Sequence, residues 1–173
     1  RHFPPAQMEN LENILLYKLR SSSIEELSGL FGADEGLEQL LMRAAAASGL
    51  EEVLACCKSK RYTLARIRRL LCAAMLEIEG DMVGRANASG PAYMRVLGYR
   101  KESSFLLTRM AESKLPMVLR KRDFMALSGL GEESVVLDIR AANLQALAFP
   151  DAPRRAAGRD FTERVLVMEE ERA

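Results

Sequence analysis

The first half of the chain carries apolar residues at the three- and four-residue spacing of amphipathic helices. Leu11, Ile14, Leu15 and Leu19 form one such stripe and predict a first helix that ends near Arg20. The later stripes predict a short helix opened by a Ser23–Glu26 capping box, a helix from about 37 to 48, and a helix at 51–57. These elements indicate a helical lobe, which we place at residues 1–79.

The most regular stripe of the chain follows Thr63, whose hydroxyl is suited to capping a helix. Its apolar positions all fall on one helix face, which we expect to be core: Leu64, Ile67, Leu70, Leu71, Ala74, Met75 and Ile78. Residues 80–91, GDMVGRANASGP, contain three glycines and a proline without apolar periodicity, and we interpret them as a linker.

Beyond the linker the pattern changes. Residues 93–99 alternate like a strand, 102–113 have helical spacing, and 115–119 form a second apolar run, so we expect two strands that are parallel if they pair. A long helix at 132–148 and a last strand at 165–168 follow. The predicted fold class is mostly α with a small α/β part, in which residues 92–173 form a strand–helix–strand–helix lobe.

Composition narrows the class of protein. With 173 residues, of which 49% are apolar and 28% charged, the chain can build one core or two small lobes, and collagen-like or disordered classes are excluded. No apolar stretch approaches the roughly 18 residues of a membrane-spanning helix, and no signal peptide is visible, so we predict a cytoplasmic protein without a membrane partner. Since the chain begins with Arg1, we also predict that it is part of a longer protein.

The sequence offers little for covalent or metal chemistry. It has three cysteines without metal-ligand spacing and a single histidine, His2, so we expect neither a metal site nor a histidine-dependent catalytic set.

Charge is distributed unevenly although the net charge is only +1. Residues 1–57 hold four basic and nine acidic side chains, whereas residues 58–69, KSKRYTLARIRR, hold six basic side chains and no acidic one. Because a helix start already carries partial positive charge, cations gathered there indicate an anion that offsets them. We interpret the segment as a phosphate-binding site in which Arg66 and Arg69 face away from the core and Tyr62 stacks on a base or ribose.

Three points stay open at this stage. The basic segment is equally well explained as a solvated face that pairs with the acidic first helices, for example around Glu51 and Glu52. Arg95 lies on the strand face opposite Met94 and could reach a ligand there. For Asp138, on the long helix, we favour a role in helix docking.

Four segments in order carry a resemblance to a known family: KSKRYTLARIRRLL at 58–71, AYMRVLGY at 92–99, LPMVLRK at 115–121 and LDIRAANLQALA at 137–148. They look like the C-terminal half of the bacterial tRNA(Met) cytidine acetate ligase family, which is nucleotidyltransferase-like. The stretch at 36–63 that leads into the basic segment is similar to the same family, so the resemblance covers about residues 36–148.

The resemblance implies an ATP-dependent enzyme that activates acetate as acetyl-adenylate, with Mg²⁺ accompanying ATP, and acetylates N4 of the wobble cytidine of elongator tRNA(Met). In the family this chemistry belongs to an N-terminal domain with an HxGH motif, which this sequence lacks, so no catalytic residue is assigned and the chain alone is expected to be inactive. That N-terminal domain and tRNA are the implied partners.

By the same resemblance, the positions matching a tRNA- or phosphate-binding role are Lys58, Lys60, Arg61, Tyr62, Thr63, Arg66, Arg69 and Arg95. Two alternatives remain: a stand-alone RNA-binding or helical interaction module without catalytic activity, and a basic helix that docks on the absent domain or on a second copy.

Overall fold

The computed structural model describes residues 4–159 and 164–169. The chain is mostly helical, and the strands of the described residues form two small parallel sheets. It divides into two compact units: the first comprises Arg1–Gly84 and Asn143–Ala157, and the second comprises Arg85–Ala142 and Gly158–Ala173. The division therefore falls inside the segment interpreted as a linker, and residues 143–157 belong with the first unit.

The helices of the first unit follow the apolar stripes closely. They are α1 (Glu12–Ser21, after a 3-10 turn at Met8–Leu11), α2 (Ile24–Ser28), α3 (Leu37–Ala44), α4 (Leu50–Cys57) and α5 (Leu64–Leu76).

Two polar caps fix where helices of this unit begin. The Ser23 hydroxyl accepts from the Glu26 amide while the Glu26 carboxylate accepts from the Ser23 amide, which confirms the predicted capping box. The Thr63 hydroxyl accepts from the Arg66 amide at the start of α5. The Thr63 cap therefore fixes the residue at which α5 begins, within the basic segment.

A single apolar core holds the first unit together. Leu19, Leu37, Leu41, Ile67 and Leu71 are completely buried within it. Side chains of this size each contribute about 1.5–3 kcal/mol when they leave water. The inward face predicted for α5 is confirmed for Ile67, Leu70, Leu71 and Ala74, whereas Ile78 lies beyond the end of the helix. Arg68 and Arg69 lie on the exposed side.

The predicted linker is largely helical, because α6 spans Gly80–Ser89. The sequence did not predict this helix, and the reason is physical. Two glycines lower helix propensity, and the three half-buried positions Met82, Val83 and Ala86 cover too little length to show a helical period.

In the second unit, β1 (Met94–Arg95) pairs in parallel with β3 (Met117–Val118), and β2 (Gly98–Arg100) pairs in parallel with β4 (Leu166–Met168). The single strand expected at 93–99 is thus two strands in different sheets. The Val96 amide donates to the Val118 carbonyl and the Leu97 carbonyl accepts from the Leu166 amide, so the chain changes sheets between Val96 and Leu97.

Helices complete the second unit. They are α7 (Phe105–Ala111), α8 (Lys121–Phe124) and α9 (Leu130–Leu147), whose last residues belong to the first unit. A small core of Val118, Phe124 and Val135 lies beneath them. Asp138 of α9 accepts a hydrogen bond from the Tyr93 hydroxyl, in keeping with the docking role favoured for it.

Candidate nucleic-acid interface

A tight turn places the basic segment at the start of α5. Lys58 caps the end of α4, with its amide bonded to the Leu54 carbonyl. The Ser59 hydroxyl accepts from the amides of Arg61 and Tyr62, which closes the turn before Thr63 begins α5. The cations on this turn and on the second turn of α5 are therefore held on one short stretch of rigid backbone.

Two of the six cations in this segment, Arg61 and Arg66, are already neutralised within the protein. The Arg66 guanidinium pairs with the Asp34 carboxylate and, at 3.0 Å from Nη1 to Oε2, with Glu35. Arg61 Nε lies 3.3 Å from the same Glu35 oxygen. We name these four residues the inner cluster: Asp34, Glu35, Arg61 and Arg66.

Hydrogen bonding within the inner cluster shifts the pKa of three of its members, Glu35, Arg61 and Arg66. The hydrogen bond from Arg61, followed by that from Arg66, lowers the pKa of the Glu35 carboxyl. The hydrogen bond to Asp34, followed by that to Glu35, raises the pKa of Arg66. Glu35 and Arg66 are therefore both charged, and paired with each other, at neutral pH.

Tyr62 lies buried beneath the two arginines of the inner cluster, so its ring is not available to a base. The residue is 5% exposed, and its hydroxyl donates to the Glu35 carbonyl. The guanidinium carbons of Arg61 and Arg66 lie 5.7 and 5.2 Å from the ring centre. The stacking role predicted for Tyr62 is therefore wrong, because packing on the first unit's core and two cation–π contacts already use the ring.

The other cations of the segment face solvent. We name them the outer basic face: Lys58, Lys60, Arg68 and Arg69. Within residues 4–159 and 164–169 none of these four side chains forms an ion pair or a hydrogen bond. Thr63 is exposed beside them, but its hydroxyl is occupied as the cap of α5.

The two readings of the basic segment each describe part of it. Pairing with acidic residues of the first unit occurs, although the partners are Asp34 and Glu35, in the loop between α2 and α3, rather than Glu51 and Glu52. Glu52 instead accepts from the amide and hydroxyl of Ser48, and these bonds lower the pKa of its carboxyl. The remaining cations keep their charge exposed, as an anion-binding surface requires.

Arg95 belongs to the second unit. Its guanidinium carbon lies 5.3 Å above the centre of the Phe124 ring. Together with Arg164 it lines a cavity of about 250 Å³, whose remaining walls are apolar side chains. Sequence reasoning missed Arg164, because nothing in the sequence shows that β4 pairs beside β2.

Two further properties bear on the kind of site. Across residues 4–159 and 164–169, no three His, Cys, Asp or Glu side chains gather in a way that could hold a metal ion. In that same part of the chain, no helix combines the length and apolar character needed to cross a bilayer.

The sequence of this chain is similar to proteins of one known family. The sequence matches the HIGH Nucleotidyl Transferase family over residues 1–160. The tRNA(Met) cytidine acetate ligase of Thermotoga petrophila is 33% identical across 91% of this chain, and that of Syntrophomonas wolfei is 32% identical across 91%. Both alignments cover 40% of the relative, so the chain spans about two fifths of the length of these relatives.

Solved structures agree with the sequence relatives. The crystal structure of Thermotoga maritima TmcAL in its apo form superposes with a TM-score of 0.87 at 28% identity, over 94% of this chain and 41% of that one. A second crystal form of the same protein, bound with alpha-thio ATP, superposes with a TM-score of 0.85.

Proposed function

Because the chain belongs to the HIGH nucleotidyltransferase family, we propose that it is the tRNA-engaging part of an ATP-dependent ligase that acetylates tRNA(Met). The proposed reaction activates acetate as acetyl-adenylate and transfers the acetyl group to N4 of the wobble cytidine of elongator tRNA(Met). Relatives named tRNA(Met) cytidine acetate ligase, similar across 91% of the chain, support the proposal. Such a protein would act in the cytoplasm.

The adenylate chemistry is assigned to the part of the longer relatives that this chain does not span. The sequence contains one histidine, His2, and therefore no HxGH motif. The TmcAL crystal form with alpha-thio ATP supports ATP as the co-substrate of the whole enzyme. A Mg²⁺ ion would accompany ATP in that other part.

The outer basic face is the single observation that carries the tRNA-engaging role. Four exposed cations lie within twelve residues, on a turn and a helix that a buried tyrosine and two helix caps hold in place. Cations that neutralise phosphates release condensed counterions, so binding weakens steeply with salt. The neutralised inner cluster fixes the turn, whereas the outer basic face presents its charge.

The test is salt-dependent binding of the chain to unmodified elongator tRNA(Met), measured for the parent protein and a variant with Lys58, Lys60, Arg68 and Arg69 changed to Glu. Each phosphate contact that is lost reduces the slope of log affinity against log salt by about one. We therefore expect the slope to flatten by about two to four and binding at moderate salt to be lost. Arg43→Glu, an exposed arginine of α3, is the matched control and should leave the slope unchanged.

Circular dichroism of the variants checks that the helices remain, which is expected because all four side chains are exposed. Arg66 is unsuitable for this test, since its reversal would set a carboxylate against Asp34 and Glu35. Unchanged tRNA binding in the folded variant would contradict the proposal.

A second candidate is a helical interaction module without RNA binding, and one observation favours it. Arg61 and Arg66 form ion pairs with Glu35 inside the first unit, which is consistent with a structural use of basic residues in this segment. Absence of tRNA binding at low salt, by the parent protein, is the result that selects this candidate.

A further inference from the structure

A single carboxylate oxygen in the first unit lies between two guanidinium groups. Glu35 Oε2 is 3.3 Å from Arg61 Nε and 3.0 Å from Arg66 Nη1. The neighbouring Asp34 carboxylate accepts a further hydrogen bond from Arg66. Two guanidinium groups this close repel each other unless an anion lies between them. The inner cluster therefore contains a defined position for an anion, which the protein fills with its own carboxylates.

The donors at this position suit a phosphate as well as a carboxylate. A guanidinium presents planar, paired donors that match the oxygens of either group, and arginine stays charged in a protein. The position is also open to solvent, since the side chain of Asp34 is 63% exposed and that of Arg61 is 59% exposed. A phosphate can therefore reach the two arginines from outside.

The carboxylates can leave this position without a change in the backbone. Ion pairs between exposed side chains contribute little to stability, and salt screens them. The backbone of the acidic loop is held independently, because the Glu35 carbonyl accepts from the hydroxyl of the buried Tyr62. The Ser59 hydroxyl closes the turn before α5, and the Thr63 hydroxyl caps the helix. Rotation of the acidic side chains is therefore sufficient to expose the two guanidinium groups.

The anion position adjoins the outer basic face. Arg61 directly follows Lys60, and Arg69 lies three residues after Arg66, so Arg66 and Arg69 are neighbours on the surface of α5. A polyanion held by the outer basic face presents further phosphates of the same strand to this position at a high effective concentration. Replacement of the carboxylates is therefore expected with a polymer of phosphates rather than with free phosphate.

We propose that Asp34 and Glu35 form an autoinhibitory contact: their carboxylates occupy the anion position in the free protein, and a backbone phosphate of RNA replaces them there. The replaced carboxylates turn towards solvent, and Arg61 and Arg66 add to the four cations of the outer basic face. The contact lowers the affinity for RNA, because two ion pairs must be broken before the phosphate binds. The inference rests on the proposed function only in taking RNA as the polyanion.

The first test measures binding of fluorescein-labelled decauridylate, whose backbone phosphates carry the sequence-independent part of RNA binding. We expect Asp34→Asn combined with Glu35→Gln to bind it about tenfold more tightly than the parent protein does, because the ion pairs no longer have to be broken. Adding Arg61→Gln to this variant should remove most of the gain, since the phosphate then loses a donor.

Glu9→Gln combined with Glu51→Gln is the matched control. It changes the net charge by the same amount, at two exposed glutamates that form no ion pair within residues 4–159 and 164–169. Salt screens the effect of charges away from the bound strand, so the affinity of the control should rise by no more than about twofold.

The second test follows the Glu35 carboxyl of the parent protein by carbon-13 NMR in a pH titration, without and with saturating decauridylate. In the free protein, hydrogen bonds from Arg61 and then Arg66 lower the pKa of this carboxyl below its usual 4.5. In the complex the carboxyl has lost these donors and lies near phosphates, so its pKa should rise to 4.5 or above. The pKa of the Glu52 carboxyl, which hydrogen bonds from Ser48 lower, should change little.

Three results would overturn the inference: no binding of decauridylate, a variant that binds it no more tightly than the control, and a Glu35 pKa that stays lowered in the complex. These outcomes are separable from those of the proposed function. Loss of tRNA(Met) binding in the outer-basic-face variant, together with a Glu35 pKa that stays lowered, supports the proposed function alone. A parent protein that binds decauridylate with both expected changes but fails to bind tRNA(Met) supports the inference alone.

Discussion

Glu12 is expected to act as the N-terminal cap of a helix that lies far from it in sequence. Its Oε2 atom accepts a hydrogen bond of 2.7 Å from the amide of Leu50, the first residue of α4. The residue at the usual cap position, Gly49, has no side chain to do this. We therefore predict that Glu12→Ala destabilises α4 and, through it, the helix end that carries Lys58.

The magnitude follows from two contributions. Losing a side-chain cap costs about 1 kcal/mol, and losing a negative charge at a helix start costs about 0.3–1 kcal/mol. We therefore expect the free energy of unfolding to fall by about 1–2 kcal/mol, measured by urea unfolding with circular dichroism. Amide hydrogen exchange should speed up in the first turn of α4, where Leu50 loses its acceptor.

The structure also supplies a rescue. A Cβ atom at Gly49 would lie 2.9 Å from Glu12 Oε2, so Gly49→Ser alone is crowded by the carboxylate. The backbone of Gly49 is extended, which any residue adopts. In the Glu12→Ala background the crowding is gone, and Gly49→Ser should restore about 1 kcal/mol by capping α4 locally.

Glu9→Ala is the matched control. Glu9 is an exposed glutamate of the turn preceding α1, and its carboxylate makes no hydrogen bond or ion pair with the described part of the chain. If Glu12→Ala and Glu9→Ala destabilise the protein equally, or if Gly49→Ser fails to rescue, the capping argument is refuted.

Two further predictions concern titration. Burial raises the pKa of the Cys57 thiol to about 11, so iodoacetamide at pH 8 should alkylate the exposed Cys56 first and Cys57 last, as followed by peptide mass spectrometry; equal rates would contradict this. The Leu119 amide, then the Arg120 amide, lowers the pKa of the Asp123 carboxyl below its usual 3.8. The resulting stabilisation is present above pH 3.8 and disappears as the pH falls through the lowered value, so the stability difference between the parent protein and Asp123→Asn should shrink towards pH 2 in urea titrations. A stability difference between the two proteins that stays constant with pH would contradict the assigned role of Asp123.

The helices of the first unit could be predicted because each has an apolar stripe and a clear boundary. Ser23 and Thr63 are caps whose chemistry is local, so the sequence alone shows where α2 and α5 begin. The helix α6 was missed because Gly80 and Gly84 weaken its propensity and its half-buried positions are few. The division of residues 93–99 between two sheets depends on pairing with distant strands, which no local pattern reveals.

The basic segment could be found from charge alone, but the use of each cation could not. Residues 61 and 66 meet acidic partners more than 25 positions earlier in the chain, across a turn whose geometry depends on Gly36. The sequence does not show whether an aromatic or charged residue faces solvent or the core. The burial of Tyr62, which rules out stacking on a base, depends on how the helices pack together.

The first unit is interrupted in sequence, since the chain leaves it after residue 84 and returns at residue 143. On its return, the Ala148 carbonyl accepts from the Gln7 amide and from the Asn10 side chain, 138 residues away in the second case. The buried residues of the unit's apolar core end at Ala74, and the last side chain packed against them is Ile78, so the core is fully synthesised long before that acceptor exists.

This order has a consequence for the growing chain on the ribosome. At about 5–20 residues per second, roughly 4–15 s separate the synthesis of residue 74 from that of residue 148. During that interval the buried side chains of the helical core are all present, while the Gln7 amide and the Asn10 side chain still lack the Ala148 carbonyl as their acceptor. The helical core is therefore complete first, and the segment around Ala148, which binds the N-terminal residues Gln7 and Asn10, is synthesised later.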